Sequence, residues 1–255
     1  MANPATKPQS TEGTNPVVQV CGGGGSFVYD PLALSVPLSW YRGSSITEGD
    51  NVSISSWLNE GNKLNGQNLI TGLDTRPTCA LGAAPNGDKA VDFDGTNQML
   101  RSDDDVAGTT VFPLHIFKVF KQRVWATAEK ILGGGIDGSS LNVRQGGISP
   151  GIQVDFTGEN AGAPIDTWAI MELRVDALSG GTAAYDLHLG NTSTTGTITG
   201  NEPKGISLAT DAWNAPDRAD MQVAELMVWH GNLTGTELST TRDYLSAKYF
   251  PAGKV

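Results

Sequence analysis

Along most of this chain apolar and polar residues alternate, and every few residues Gly, Asn or Asp breaks the alternation. "KAVDFDG" sets Val91 and Phe93 on one side of an extended segment and Asp92 and Asp94 on the other, because successive strand side chains point to opposite faces. "LHIFKVFKQ" places His115, Phe117 and Val119 against Leu114, Ile116, Lys118 and Phe120 in the same way. "LALSVPLSWYRG" and "NVSISSWLNEGN" open the series; "KILGG", "LNVRQ", "GIQVDF", "WAIMELRVD", "AAYDLHLG", "GISLA" and "MQVAELMVWHG" continue it. Short strands parted by turns, without the strand–helix alternation of a parallel sheet, predict an all-β fold: a two-sheet antiparallel jelly-roll sandwich. In "MQVAELMVW" both faces are apolar, which predicts a central strand covered on both sides. Glu225 interrupts that strand, and a carboxylate buried there needs a partner.

The period changes once, near the C-terminus. In "GNLTGTELSTTRDYLSAKYFPAG" Leu238, Thr241, Leu245 and Tyr249 form an apolar-leaning stripe at helical spacing, and Pro251 blocks extension. Thr234 with Glu237 three residues on is a capping box, and Leu233 and Leu238 stand where a hydrophobic staple would sit. The expected helix is short and packs on the sandwich. At the other end, residues 1 to about 30 are polar, contain prolines and include "CGGGGS", which predicts an extended arm ahead of a sandwich domain over residues 31–255.

Composition sharpens this picture without redirecting it. With 38% hydrophobic residues the 255-residue chain can bury a core, and its 32 glycines suit many turns. A net charge of −10 with a pI near 4.7, and no Lys/Arg-rich run, argue against nucleic acid or an anionic membrane as partner. No run of 18 apolar residues exists, and the N-terminus lacks the apolar segment of a secretory signal, so synthesis in a cytoplasm is expected. Cys21 and Cys79 make no disulfide framework, and free thiols are the default there.

Three stretches in order carry a resemblance: "VDFDGTNQML", the strand "LHIFKVFKQ", and the closing "VAELMVWHGNLTGTELSTTRDYLSAKY". With the opening "LSWYRGSSITEGDNVSISSWLNEGN", they resemble the concanavalin A-like lectin/glucanase superfamily, in particular laminin G-like domains of bacterial and phage type, over about residues 31–250. The resemblance implies the sandwich already read from periodicity. It also implies a search for the carboxylate cluster with which glucanases of this fold work. Only Glu48-Gly49-Asp50 approaches that cluster; its third carboxylate is missing, and Gly49 favours a turn. His115, His188 and His230 share no metal-ligand spacing, and no nucleophile elbow or phosphate-binding loop is present. The expectation is therefore a protein that is not an enzyme.

Two candidate sites remain. Lectin-type domains often hold calcium at one rim, and Asp103, Asp104 and Asp105 supply hard oxygen ligands in a loop, although a merely solvated acidic loop has the same composition. No other cofactor is implied. Glycan binding on such folds uses an exposed aromatic ring. Of Trp57, Trp125, Trp213 and Trp229, the first and last sit in strands, so Trp213 with Asn214 in the polar loop "TDAWNAPDRAD" is the surface candidate, against its alternative role as a lid on the core. Together these lead to an expected structural or attachment protein of a phage virion, a capsid decoration, head-fibre or tail component. Residues 1–26 would anchor it to other particle subunits, the sandwich would face outward toward cell-surface glycan, and the chain would form a homo-oligomer. The alternatives are a free glycan-binding module or adhesin domain, and a divergent glycoside hydrolase.

Overall fold

Strand β16, Asp220–His230, is the axis of the molecule: Met221 to Trp229 are buried without a break. Met221, Val223, Leu226 and Val228 face the core between two sheets, while Ala224, Met227 and Trp229 face a second apolar layer outside. That is why the segment lost its alternation in sequence. The computed structural model describes residues 37–61, 68–71, 76–102, 112–134, 141–155, 157–160, 163–203, 205–210 and 217–251.

The first sheet runs in the order β14 (Thr192–Thr199), β13 (Thr182–Leu189), β12 (Ala169–Val175), β7 (Leu114–Gln122), β16, β5 (Ala90–Asp94) and β4 (Thr78–Ala80). Strand β16 is long enough to take two partners on one edge. β5 pairs with Asp220–Val223 and β1 (Ser39–Arg42) with Glu225–Val228, with Ala224 at the register shift between them. Gly43 follows β1 at this junction, where an added Cβ would stand 1.9 Å from the Lys89 carbonyl oxygen.

The second sheet runs β11 (Thr157–Asn160), β10 (Ile152–Val154), β9 (Asn142–Gln145), β8 (Lys130–Gly133), β15 (Ser207–Leu208), β6 (Leu100–Ser102), β3 (Leu69–Ile70) and β2 (Ser56–Trp57). Among the described residues every ladder in both sheets is antiparallel, as the alternation predicted. Trp57, Phe93, Leu100, Phe120, Val143 and Leu173 are among the side chains that fill the space between the sheets. Each large one contributes about 1.5–3 kcal/mol relative to an exposed position.

One core position departs from this chemistry. Lys118, on the inward side of β7, is fully buried among apolar side chains. Its Nζ donates to the Ile131 carbonyl at 2.8 Å and lies 3.2 Å from Met221 Sδ. Burial drives its pKa well below the ordinary lysine range.

Helix α1, Gly235–Tyr249, lies on the outer side of the first sheet. The capping box forms as read: the Glu237 N–H donates to Thr234 Oγ1, and Glu237 Oε2 accepts from the Thr234 N–H at 2.8 Å. Leu245 and Tyr249 join Trp40, Phe117, Val119, Met227 and Trp229 in the outer apolar layer, with Leu233 and Leu238 packed at its edge.

Glu225 finds its partners there. Its Oε1 accepts from Trp40 Nε1 at 2.6 Å and Tyr244 Oη at 3.0 Å; its Oε2 accepts from Lys248 Nζ at 2.7 Å and Tyr249 Oη at 2.6 Å. Burial first, and then the charge of Glu225, push both phenols well above the tyrosine range. A second carboxylate, Glu172 on β12, is bound by Arg242 through Nε at 2.7 Å and by His115 Nε2 at 3.2 Å. Burial would raise the Glu172 pKa, but the bonds from His115 and Arg242 outweigh it and leave it below the ordinary range. The Leu233 N–H donates to His115 Nδ1, so the imidazole proton sits on Nε2 and points at Glu172. Both carboxylates hold the helix to the sheet.

Candidate functional site

The opening of the sandwich between β7 and β8 is where polar chemistry collects. Gln122 ends β7 with its side chain buried, donating to the Ala163 carbonyl at 2.5 Å and the Pro150 carbonyl at 3.1 Å. Gln145 Nε2 donates to Gln122 Oε1 and to the Val124 carbonyl, and Gln145 Oε1 accepts from the Ala126 N–H. These amides fix the connection over residues 123–129. On its outside Val124 is 52% exposed and Ile148, on the facing turn, 69%.

Arg123 closes the rim on the first-sheet side. Its guanidinium donates to Asp220 Oδ1 at 2.5 Å, reaches Asp92 Oδ1 at 2.7 Å, and donates to the Phe93 carbonyl at 2.8 Å. Gln222 Nε2 donates to Asp92 Oδ2 at 3.0 Å. Asp92 thus faces away from the core as its alternation required, and its work is to clamp an arginine. Asp94 turns back on its own loop, accepting from the Thr96 N–H and hydroxyl ahead of Gly95.

Glu129 stands on the other side of the same rim. Its carboxyl is pushed up to about 7, first by burial and then by the charges of Asp220 and Asp217, against one lowering backbone hydrogen bond from Asp220. Its Oε2 is buried and has no hydrogen-bond donor. Asp217 is exposed, and its carbonyl accepts from the Lys130 N–H, which sets Asp217 opposite Glu129–Lys130. Trp125, four residues before Glu129, is half-buried on the same connection. A carboxyl pushed up to about 7 near a second carboxylate is the kind of pair that transfers protons.

From this rim the outer face of the second sheet extends. The ladders align Arg101, Ser207, Gly133 and Asn142 in one row, and Lys130, Arg144 and Gln153 in another. No helix of the described residues covers these rows, in contrast to the first sheet. Sequence reading missed this set, although the alternation of "LNVRQ" and "KILGG" already placed Asn142 and Arg144 opposite Val143. Glu129 carried no signal in sequence, since its environment comes from Asp217 and Asp220, some 90 residues away.

The candidates read from sequence fall elsewhere. Trp213, Asn214, Asp103, Asp104 and Asp105, like Cys21 and the stretch expected to be an arm, lie outside the described residues. Among the described residues no group of three or more His, Cys, Asp or Glu could hold a metal. Cys79 is buried as a free thiol, its pKa raised mainly by burial. Glu48 precedes a turn that Asp50 enters, as expected rather than a strand: Asp50 Oδ1 accepts from the Leu81 N–H. Trp57 and Trp229 are buried in the two apolar layers. His188 is half-buried against Asp186, and His230 is exposed at the end of β16. No helix is long and apolar enough to cross a membrane among the described residues.

No family model matches the chain, and no curated protein matches it by sequence. Solved structures do share its fold. An α-L-arabinofuranosidase soaked with 4-nitrophenyl α-L-arabinofuranoside aligns over 84% of this chain and 59% of its own, at 12% identity and a TM-score of 0.51. An arabinofuranosidase complexed with arabinofuranosyl-α-1,2-xylobiose aligns over 84% of this chain and 59% of its own, at 13% identity and 0.50. A sialidase from Trypanosoma rangeli aligns over 89% of this chain and 34% of its own, at 11% identity and 0.51. The chain spans about a third of that sialidase and under two thirds of the arabinofuranosidases.

These likenesses establish the β-sandwich, and neither the laminin G-like assignment nor the concanavalin A-like superfamily is singled out by them. They correct the functional expectation. The three chains compared above are glycoside hydrolases and none is a particle component, so the virion attachment protein is withdrawn. The expectation of a protein without catalytic activity finds no support among them either.

Proposed function

We propose that the protein acts on carbohydrate, cleaving a glycosidic bond with Glu129 as the proton donor. The observation that carries this reading is Glu129, whose half-buried carboxyl has an Oε2 without a hydrogen-bond donor and is pushed up to about 7 beside Asp217 and Asp220. In such a cleavage Glu129 gives its proton to the glycosidic oxygen as the bond to the anomeric carbon breaks. Asp217 takes a proton from the water that enters, and the product leaves with a free reducing end. Asp220 is engaged by Arg123 and serves to keep Glu129 neutral. The sugar-acting sandwiches with TM-scores of 0.50–0.51 support the substrate class, at identities that speak for the fold alone.

The test is release of reducing ends from a panel of arabinan, arabinoxylan, β-glucan, polygalacturonate and sialyl-oligosaccharides. Wild type is expected to release sugar from at least one. Glu129→Gln keeps the shape and loses the proton, and should lower the rate by about 10²–10⁴-fold. Cleavage that survives Glu129→Gln undiminished overturns the assignment, and binding without cleavage by any substrate overturns the activity.

A further inference from the structure

Val119 is the last residue of β7 in the apolar layer beneath α1, and the next outward position on that strand is Lys121. Lys121 stands opposite Gln222, which in turn stands opposite Asp92, so the outer face of the first sheet turns polar here. Trp168, just before β12, packs at the edge of the apolar layer. Lys121 Nζ lies 5.6 Å from the centre of its ring, within the range of a cation–π contact. Both side chains are half-buried, whereas Trp40, Trp57 and Trp229 are buried in the apolar layers. An indole and an ammonium therefore share one open stretch of the sheet.

The ammonium is placed differently from its neighbour on the same face. Arg123, two residues on and about 7 Å along the strand, is held by Asp92 and Asp220. Lys121 has no carboxylate partner among the described residues, and its contact there is the indole. Its N–H donors are thus left for acceptors brought from outside. A ring that packs against C–H groups, with a donor beside it, matches the two sides of a sugar: an apolar ring face and a rim of hydroxyls. Charge narrows the choice of sugar. Lys121 and Arg123 are balanced by Asp92 and Asp220, so this stretch carries no excess of positive charge with which to select an anion.

We infer that Trp168 and Lys121 form a subsite for a neutral sugar of the glycan, remote from the bond that breaks. The indole packs against the C–H face of the sugar ring, and Lys121 Nζ donates to its hydroxyls. Arg123 leads from this subsite to Asp220, which follows the strand residue Ala219 bonded to the Lys130 carbonyl, next to Glu129. A chain seated on Trp168 therefore runs toward the rim. The inference deepens the carbohydrate-cleaving reading and rests on it for the identity of the ligand as a glycan.

Binding is measured by calorimetry on the full-length Glu129→Gln protein, so that cleavage does not intervene. The probes are arabino-, xylo- and cello-oligosaccharides, with oligogalacturonate as the charged comparison. At least one neutral oligomer is expected to bind, with an affinity that NaCl leaves unchanged. Trp168→Ala and Lys121→Met are each expected to lower that affinity at least tenfold. Trp168→Phe, which keeps a ring at the edge of the apolar layer, should lose less. Should Trp168→Ala fail to fold, Trp168→Phe and Lys121→Met carry the same comparison. Neutral binding that these substitutions leave unchanged overturns the subsite while leaving cleavage at Glu129 standing, and so does cleavage of a glycan without measurable binding of any neutral oligomer. Preference for oligogalacturonate that fades as NaCl rises overturns the neutral assignment. Binding that depends on Trp168 and Lys121, in a protein that cleaves no glycan, supports the subsite and sinks the hydrolytic reading alone.

Discussion

Replacing Lys118 by methionine should stabilise the protein, and by an amount that depends on pH in a defined direction. The side chains have similar length, so Met can occupy the same channel in the core. Two effects compete. The substitution leaves the Ile131 carbonyl without the Nζ that donates to it at 2.8 Å, a loss of about 1–3 kcal/mol. It also removes the penalty of folding a group that is charged when unfolded and neutral when buried. In the folded chain the Lys118 pKa lies well below its ordinary value; in the unfolded chain it returns to about 10.4. Between those two values the unfolded state binds one more proton, so wild-type stability rises with pH by about 1.4 kcal/mol per unit. The penalty is absent above the unfolded pKa, grows as pH falls, and levels off below the folded one. Lys118→Met has no such slope. The stability difference between variant and wild type should therefore shrink as pH rises toward the unfolded pKa, by up to about 1.4 kcal/mol per unit between pH 8 and pH 9.5. Urea unfolding followed by tryptophan fluorescence at several pH values measures it, other titrations cancelling in the difference. A difference that stays constant over this range would refute the reasoning, for it would mean that Lys118 is charged in the folded core.

Three further outcomes follow from the same contacts. Glu225→Gln leaves Lys248 facing a neutral amide beneath the helix, and should cost about 3–5 kcal/mol in chemical denaturation, as breaking a buried ion pair does. Thr234→Ala removes the acceptor of the Glu237 N–H and should cost about 1 kcal/mol, seen as a lower urea midpoint with unchanged slope. Gly95→Ala should destabilise by more than about 1 kcal/mol, since Gly95 has φ +74° and an added Cβ would sit 2.9 Å from Asp220 Cβ; a neutral result in the same assay would contradict the turn geometry.

The sequence disclosed the fold where two-residue periodicity met burial. "LHIFKVFKQ" is a strand from its first residue to its last, and the doubly apolar "MQVAELMVW" is the central strand with Glu225 partnered inside it. The C-terminal helix was equally legible, because its cap is local chemistry between Thr234 and Glu237. Strand β14, "TSTTGTIT", escaped notice: it is an edge strand whose only buried side chain is Ile198, so no apolar alternation marks it. The site was less legible than the fold. Glu129 acquires its protonation from burial and from Asp217 and Asp220, groups brought to it only by the closing of the sandwich. Arg101, Lys130 and Arg144 become a set through strand pairings across a hundred residues, which no local pattern encodes.

The central claim is that Glu129 is the acid of a glycosidic cleavage, and the pH dependence of that cleavage tests it most directly. On any glycan the wild type cleaves, kcat/KM should fall above about pH 7, tenfold per unit, as Glu129 loses its proton. Glu129→Gln should be slowed about 10²–10⁴-fold, and its residual rate should lack this basic limb. A glycan-cleaving protein whose rate is unchanged between pH 7 and 9, or whose basic limb persists in Glu129→Gln, would contradict the account.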